Sequence, residues 1–215
     1  MKLDTWLAVV LISISAAFAI SGKYQRSKLL HYAFKPLTML MITSLAWERT
    51  VGNPSAYGYL ILAGLCLSLF GDVFLMLSSR YFRPGLMAFL AAQVLYIAAF
   101  SRDLGRLSFS WLWIILAYAA LMFLVLYRGL GKYRWPVLVY VLAISAMSWL
   151  ALNRYFDLRG QSSLLAAIGA PFFLVSDSVN AVNRFRKPFK AAQVIILSAY
   201  FAAQLLFALS VPALP

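Results

Sequence analysis

The chain has 215 residues, 64% of them hydrophobic and 12% charged. A soluble globule carries roughly 45–50% and about 25%, so a soluble enzyme, a fibrous chain and a disordered one are all excluded. A single cysteine, Cys66, and a single histidine, His31, exclude a disulfide framework, a CxxC redox centre, a zinc ribbon and a multi-histidine metal site. Neither metal nor cofactor is expected. The net charge of +13 does not point to nucleic acid, because the basic residues punctuate apolar segments rather than forming a run. That pattern belongs to membrane topology and lipid headgroup contact.

Eight apolar segments are predicted, at roughly 5–21, 34–47, 56–78, 85–101, 109–127, 135–152, 162–180 and 190–211. Each is near the ~20 residues that a helix needs to cross the hydrocarbon. Lipid offers the backbone no partner, and the alternation of a membrane barrel is absent, so the fold class is an all-α, polytopic membrane helix bundle of about eight transmembrane helices. The first segment ends near Ala17-Phe18-Ala19, which resembles a signal cleavage site. Its leading flank pairs Lys2 with Asp4 and the strong charge follows it, so it reads as a retained helix. His31, in the short basic stretch that follows, is expected to be solvated. The second segment opens with Lys35-Pro36. The third carries Asp72 on a stripe of small residues, Gly64 and Ser68, with Gly71 beside it and Cys66 as packing.

Gln93 and Tyr96 lie inside the fourth segment, spaced to share a face. The fifth is apolar throughout, and the sixth opens with Arg134-Trp135-Pro136. The seventh carries Asp177, Asn180 and Arg184 on one face, with Asn183 adjacent. The eighth carries Tyr200 and Gln204 on another. Basic groups at Lys35 and Arg184, near one level, suit a phosphate.

Loop charge sets the orientation. The odd-numbered connections hold thirteen basic residues and no acid, while the even connections and termini hold six basic residues and four acids. The positive-inside rule places the odd loops in the cytoplasm and both termini outside it, as for a bacterial inner-membrane protein. A faint repeat also runs through the single domain, 1–215. Leu69-Phe70-Gly71-Asp72 and Ala91-Ala92-Gln93 are echoed by Leu174-Val175-Ser176-Asp177 and Ala202-Ala203-Gln204. Two tandem four-helix halves, 1–106 and 107–215, would produce that echo.

Asp72 and Asp177 are the acids inside apolar spans. An ionised Asp at mid-bilayer costs roughly 2.5–3.5 kcal/mol on insertion scales, so each is a candidate functional group. Two carboxyls converging in a dry site titrate as a pair, one protonated while the other is a base. Such a pair can run a hydrolysis without metal, serine or cysteine.

At these residues the sequence resembles the YhhN/TMEM86 family of lysoplasmalogenases. The matching pieces are Phe34-Lys35-Pro36-Leu37-Thr38, Leu69 through Met76, Tyr96 through Phe100, Ser176-Asp177-Ser178 with Asn183-Arg184-Phe185, and Tyr200 with Ala203-Gln204. One departure is Gln93, where many relatives carry His. The resemblance implies hydrolysis of the vinyl ether bond of a lysoplasmalogen to a fatty aldehyde and a glycerophospho-headgroup. Asp72 and Asp177 would be catalytic. Lys35, Gln93, Tyr96, Asn180, Asn183, Arg184, Tyr200 and Gln204 would bind substrate among membrane lipids. A small-molecule or proton-coupled transporter is the alternative reading, supported by the repeat. An intramembrane aspartyl protease is a lesser one, because Phe70-Gly71 and Ser176 stand where that class has other residues.

Overall fold

The computed structural model describes residues 5–25 and 27–213, the side chain of Lys28 excepted. Lys2, Asp4 and Arg26, which the charge reading used, lie outside the described residues, as does that side chain.

Among the described residues the chain forms eight α-helices and no strand. They are α1 (Thr5–Tyr24), α2 (Lys28–Gly52), α3 (Ala56–Met76), α4 (Phe82–Phe100), α5 (Leu112–Leu130), α6 (Arg134–Leu158), α7 (Gln161–Phe185) and α8 (Ala192–Ser210). Short 3-10 turns, Ser79–Tyr81 and Gly131–Tyr133, lead into α4 and α6. Every α-helix except α2 falls in one of six segments long and apolar enough to cross a membrane, α5 and α6 sharing the segment Leu112–Leu158. The second span is longer than the sequence suggested. Ser27 caps it by accepting from the Leu30 amide, and it runs on to Gly52. His31 therefore lies in the first turn of a helix, buried, with Nδ1 3.1 Å from the Ala19 carbonyl oxygen. It is not the solvated loop histidine expected from its neighbours.

Successive helices pack as neighbours except α4 and α5, and α5 packs on α6 and α7 instead; α8 also touches α1, α2 and α3, while α4 touches α6. Lipid tails are as apolar as leucine, so nothing squeezes helices together as water would. Association depends on close contact and interior hydrogen bonds. Glycine supplies the contact. A Cβ on Gly64 of α3 would fall within the Tyr96 ring of α4, and one on Gly169 of α7 would come 2.7 Å from Cε1 of Phe207 on α8.

The outward surface is apolar, with Trp6, Trp113 and Trp135 each more than 70% exposed near helix ends, where indoles favour the membrane interface. A soluble monomer does not leave that much apolar side chain uncovered.

The two ends of the bundle are stapled differently. At the end carrying the even connections, Arg49 donates from Nη1 to the carbonyls of Leu209 and Val211, both at 3.0 Å. Arg154 donates to the Arg102 carbonyl and lies over the Tyr57 ring. The 101–111 connection is tied down by Asp157 accepting from the Gly105 amide at 2.7 Å and Asn153 accepting from the Ser108 amide at 2.6 Å. Arg49 and Arg154 are thus internal fasteners rather than loop charges. At the opposite end Tyr24 donates to the Lys190 carbonyl, and Tyr32 to that of Met76, each at 2.7 Å.

Gly64→Val should lower the thermal midpoint of the detergent-solubilised protein strongly, since overpacking a tight contact costs about 1–3 kcal/mol or more. Gly160→Ala, where the nearest atoms lie at 3.9 Å or beyond, should leave it nearly unchanged.

Candidate active site

Two apolar cores form. The larger joins every helix except α5. The smaller gathers Leu126, Leu130 and Val137 with Met122, Val182 and Phe185, toward the end that carries the odd connections. Between them lies a cavity with about 1030 Å³ of space between atoms, its mouth included. Its walls come from α2 through α8, with α5 presenting Tyr118, Met122 and Leu126 at helical spacing. Most of the lining is apolar, including Leu75, Leu86, Phe89, Val141, Ile144 and Leu174.

The polar lining is sparse, and it brings together both intramembrane acids. Lys35, Asp72, Asp177, Asn180, Arg184 and Tyr200 all line this one cavity. Asp72 is 2% exposed. Its Oδ1 lies 2.8 Å from Nζ of Lys35, and its Oδ2 accepts from the Tyr200 hydroxyl at 2.6 Å. Lys35, expected at headgroup level, is therefore committed inward to Asp72. Asp177, half-buried, accepts on Oδ2 from the Tyr140 hydroxyl. Its other oxygen takes no hydrogen bond among the described residues. Next to it, Tyr118 donates to Ser178 at 2.9 Å. Arg184 stacks its guanidinium 3.6 Å from the centre of the Phe82 ring.

Four expected site residues sit elsewhere. Tyr96 is fully buried and donates to Oε1 of Gln204 at 2.8 Å, with Ser68 3.4 Å away. Gln93 is fully buried on α4, one turn from Phe89, which packs on Tyr200, and one turn from Tyr96, and its amide takes no hydrogen bond among the described residues. These three form a polar layer behind the Asp72–Tyr200 pair and are not on the cavity wall. Asn183 accepts from the Phe189 amide at 3.2 Å, shaping the turn between α7 and α8.

A profile of the YhhN family matches residues 30–211. The chain belongs to the YhhN family. It is 30% identical over 199 residues to a protein of Escherichia coli O157:H7 named uncharacterized membrane protein YhhN, covering 92% of this chain and 94% of that one. It is 32% identical over 209 residues to human lysoplasmalogenase TMEM86B, covering 95% and 85% of the two chains. Against bovine lysoplasmalogenase TMEM86A the identity is 38% over 157 residues, 70% and 64% of the two. No solved structure matches the chain. With its apolar helices and its relatives named as membrane proteins, this YhhN-family chain is a multi-pass membrane protein.

Tyr140 and Tyr118 escaped the sequence reading, and Ser178 entered it only as part of the Ser176-Asp177-Ser178 match. A single tyrosine in an apolar run is indistinguishable from core or belt, and only the neighbouring helix reveals that its hydroxyl meets a carboxylate. Tyr200→Phe removes one of the two donors to a buried carboxylate. It should lower stability by about 1–3 kcal/mol, read as a lower thermal midpoint in detergent. Tyr24→Phe, at a half-exposed hydroxyl, should move the midpoint far less.

Proposed function

We propose that the chain is a membrane-embedded hydrolase that cleaves the vinyl ether bond of lysoplasmalogens, giving a fatty aldehyde and a glycerophospho-headgroup, with Asp72 and Asp177 as an acid–base pair. The observation that carries this reading is the presence of both carboxyls in the wall of one largely apolar cavity. Relatives aligned over most of this chain bear the name lysoplasmalogenase.

The chemistry suits those residues. Hydrolysis of a vinyl ether begins with protonation of the alkene carbon, which leaves an oxocarbenium ion. Water adds, and the hemiacetal collapses to aldehyde and alcohol. The reaction asks for a positioned proton donor and a negative group facing the cation. It consumes only water. A single alkenyl chain matches the apolar wall formed by Leu75, Leu86, Met122, Leu126 and Val141, while Arg184 and Asn180 supply donors for the phosphate. By the positive-inside rule the acidless basic loops favour this end of the bundle in the cytoplasm, so the lysolipid would come from the inner leaflet and both termini would lie outside.

Asp72→Asn and Asp177→Asn should each lower aldehyde release from lysoplasmalogen by at least the ~10²–10⁴ typical of general acid–base catalysis. The double variant should be little worse than the poorer single one. The saturated ether analogue should release nothing from the wild type. A folded protein that releases no aldehyde from either lipid is a carrier and not this enzyme, and near-normal activity in either single variant would overturn the paired mechanism. Orientation has its own check. Reporter fusions in the Arg128–Arg134 connection should report cytoplasm, and fusions in the Asn153–Gln161 stretch should report the outside; the reverse pattern would move the site to the outer leaflet.

A further inference from the structure

Asp72 and Asp177 stand in matching places with unmatched surroundings. One offset, 105 residues, carries Lys35, Gly64 and Asp72 onto Tyr140, Gly169 and Asp177. A second, 111 residues, carries Phe89, Gln93 and Tyr96 of α4 onto Tyr200, Gln204 and Phe207 of α8. The contacts follow the same correspondence. Lys35 reaches Asp72 as Tyr140 reaches Asp177. Tyr96 fills the notch at Gly64 as Phe207 fills the one at Gly169. The α2–α8 and α4–α6 contacts exchange with each other. Three of the paired positions differ in chemistry: a hydroxyl on Tyr96 against the bare ring of Phe207, away from the acids, and two beside them, an ammonium at Lys35 against a phenol at Tyr140 and a hydroxyl on Tyr200 against the bare ring of Phe89.

We propose that this asymmetry divides the labour. Lys35 is a positioning residue that holds Asp72 as the carboxylate, and Asp177, on its single phenol, carries the transferable proton. The proposal rests on the hydrolase reading above and deepens it.

The geometry argues for each half. Both oxygens of Asp72 take a donor, one of them cationic, a setting that favours the charged form. Among the described residues Asp177 has no cation against it. Its hydrogen-bond partner among the described residues, Tyr140, is a phenol, and Asp177 lines a largely apolar cavity, where an unpaired charge is costly and the neutral acid is favoured. The other titratable and charged groups do not reverse this. Asp72 is approached by His31 from α2 and Tyr96 from α4 as well as by Lys35, Tyr200 and Asp177. Asp177 is approached by Tyr140 from α6 and Asp72 from α3. Arg184, farther along α7, is stacked on Phe82.

The steps balance. The Asp177 proton and the alkene π pair form the new C–H bond, and the ether oxygen shares a lone pair to give the oxocarbenium ion. Asp72 faces that cation and takes a proton from the water whose oxygen bonds to the cationic carbon. As the hemiacetal collapses, its hydroxyl returns a proton to Asp177, and Asp72 passes its proton to the departing glycerol oxygen. Both carboxyls end as they began, one water is consumed, and nothing is oxidised or reduced.

Infrared difference spectroscopy of the full-length protein in nanodiscs reads the assignment without turnover, through the carbonyl-stretch band of a protonated carboxyl. At neutral pH the wild type should show one such band, lost in Asp177→Asn and shifted in frequency by Tyr140→Phe but not by Tyr200→Phe. Asp72→Asn leaves the Lys35 ammonium buried and unpaired, so the Lys35→Met/Asp72→Asn double variant is the matching measurement, and it should keep the band. Lys35→Met alone should add a second band, and Lys35→Arg should not. Absence of the wild-type band, its survival in Asp177→Asn, its loss in the double variant, or a shift on Tyr200→Phe rather than Tyr140→Phe would each overturn the division. The expected band pattern in a protein that releases no aldehyde from lysoplasmalogen would keep the division and overturn the substrate.

Discussion

A carboxylate inside a membrane bundle must find its counter-charge within the protein, and that constraint organises this fold around Asp72. Lys35 at 2.8 Å and Tyr200 at 2.6 Å answer it from two different helices. The consequence is architectural. α2, α3 and α8 cannot separate without breaking this buried ion pair and its hydrogen bond, and removing one partner of such a pair typically costs about 3–5 kcal/mol. The same contact ties α2, the least apolar of the helices, to α3 and α8, while Leu29, Leu37, Leu40, Trp47 and Val51 form its outward face.

Close packing does the remainder of the holding. Gly64 and Gly169 let aromatic rings on α4 and α8 rest against the backbones of α3 and α7. Tyr96, Phe100, Phe173 and Phe207 then form one interlocked group at ring separations of 4.9 to 6.4 Å. α5 stands outside this arrangement and packs on α6 and α7. Between the rigid ring cluster and the peripheral helix there is room, and that room is the cavity. The position of the site thus follows from where tight packing stops.

Function follows from the sparseness of polar groups in that space. An apolar wall suits an aliphatic chain, and in the proposed hydrolase a few fixed donors and two unlike carboxyls would decide where along the chain a reaction occurs. The buried layer of Ser68, Tyr96, Gln93 and Gln204 behind Asp72 lies away from the wall, and the hydrogen bonds of Ser68, Tyr96 and Gln204 run between α3, α4 and α8. These residue types look like binding groups in a linear sequence because polarity inside a span is conspicuous, whether it faces substrate or another helix.

The sequence by itself determined the membrane class, the helical content, the alternation of basic and acid-bearing connections, and the two acids most worth attention. Each rests on composition or on local spacing, and in hydrocarbon those leave the backbone little choice. Local signals also misled where a neighbour decides the matter: His31 is buried beneath α1, and Arg49 and Arg154 fasten carbonyls of other segments. Only the tertiary structure decided that one carboxyl receives an ammonium as well as a phenol and the other a phenol without an ammonium among the described residues, that Lys35 turns inward, and that Tyr140 lines the same cavity. Those facts depend on helices far apart in sequence meeting at one level. Helical periodicity gives the face a side chain occupies, and it carries no information about what stands opposite.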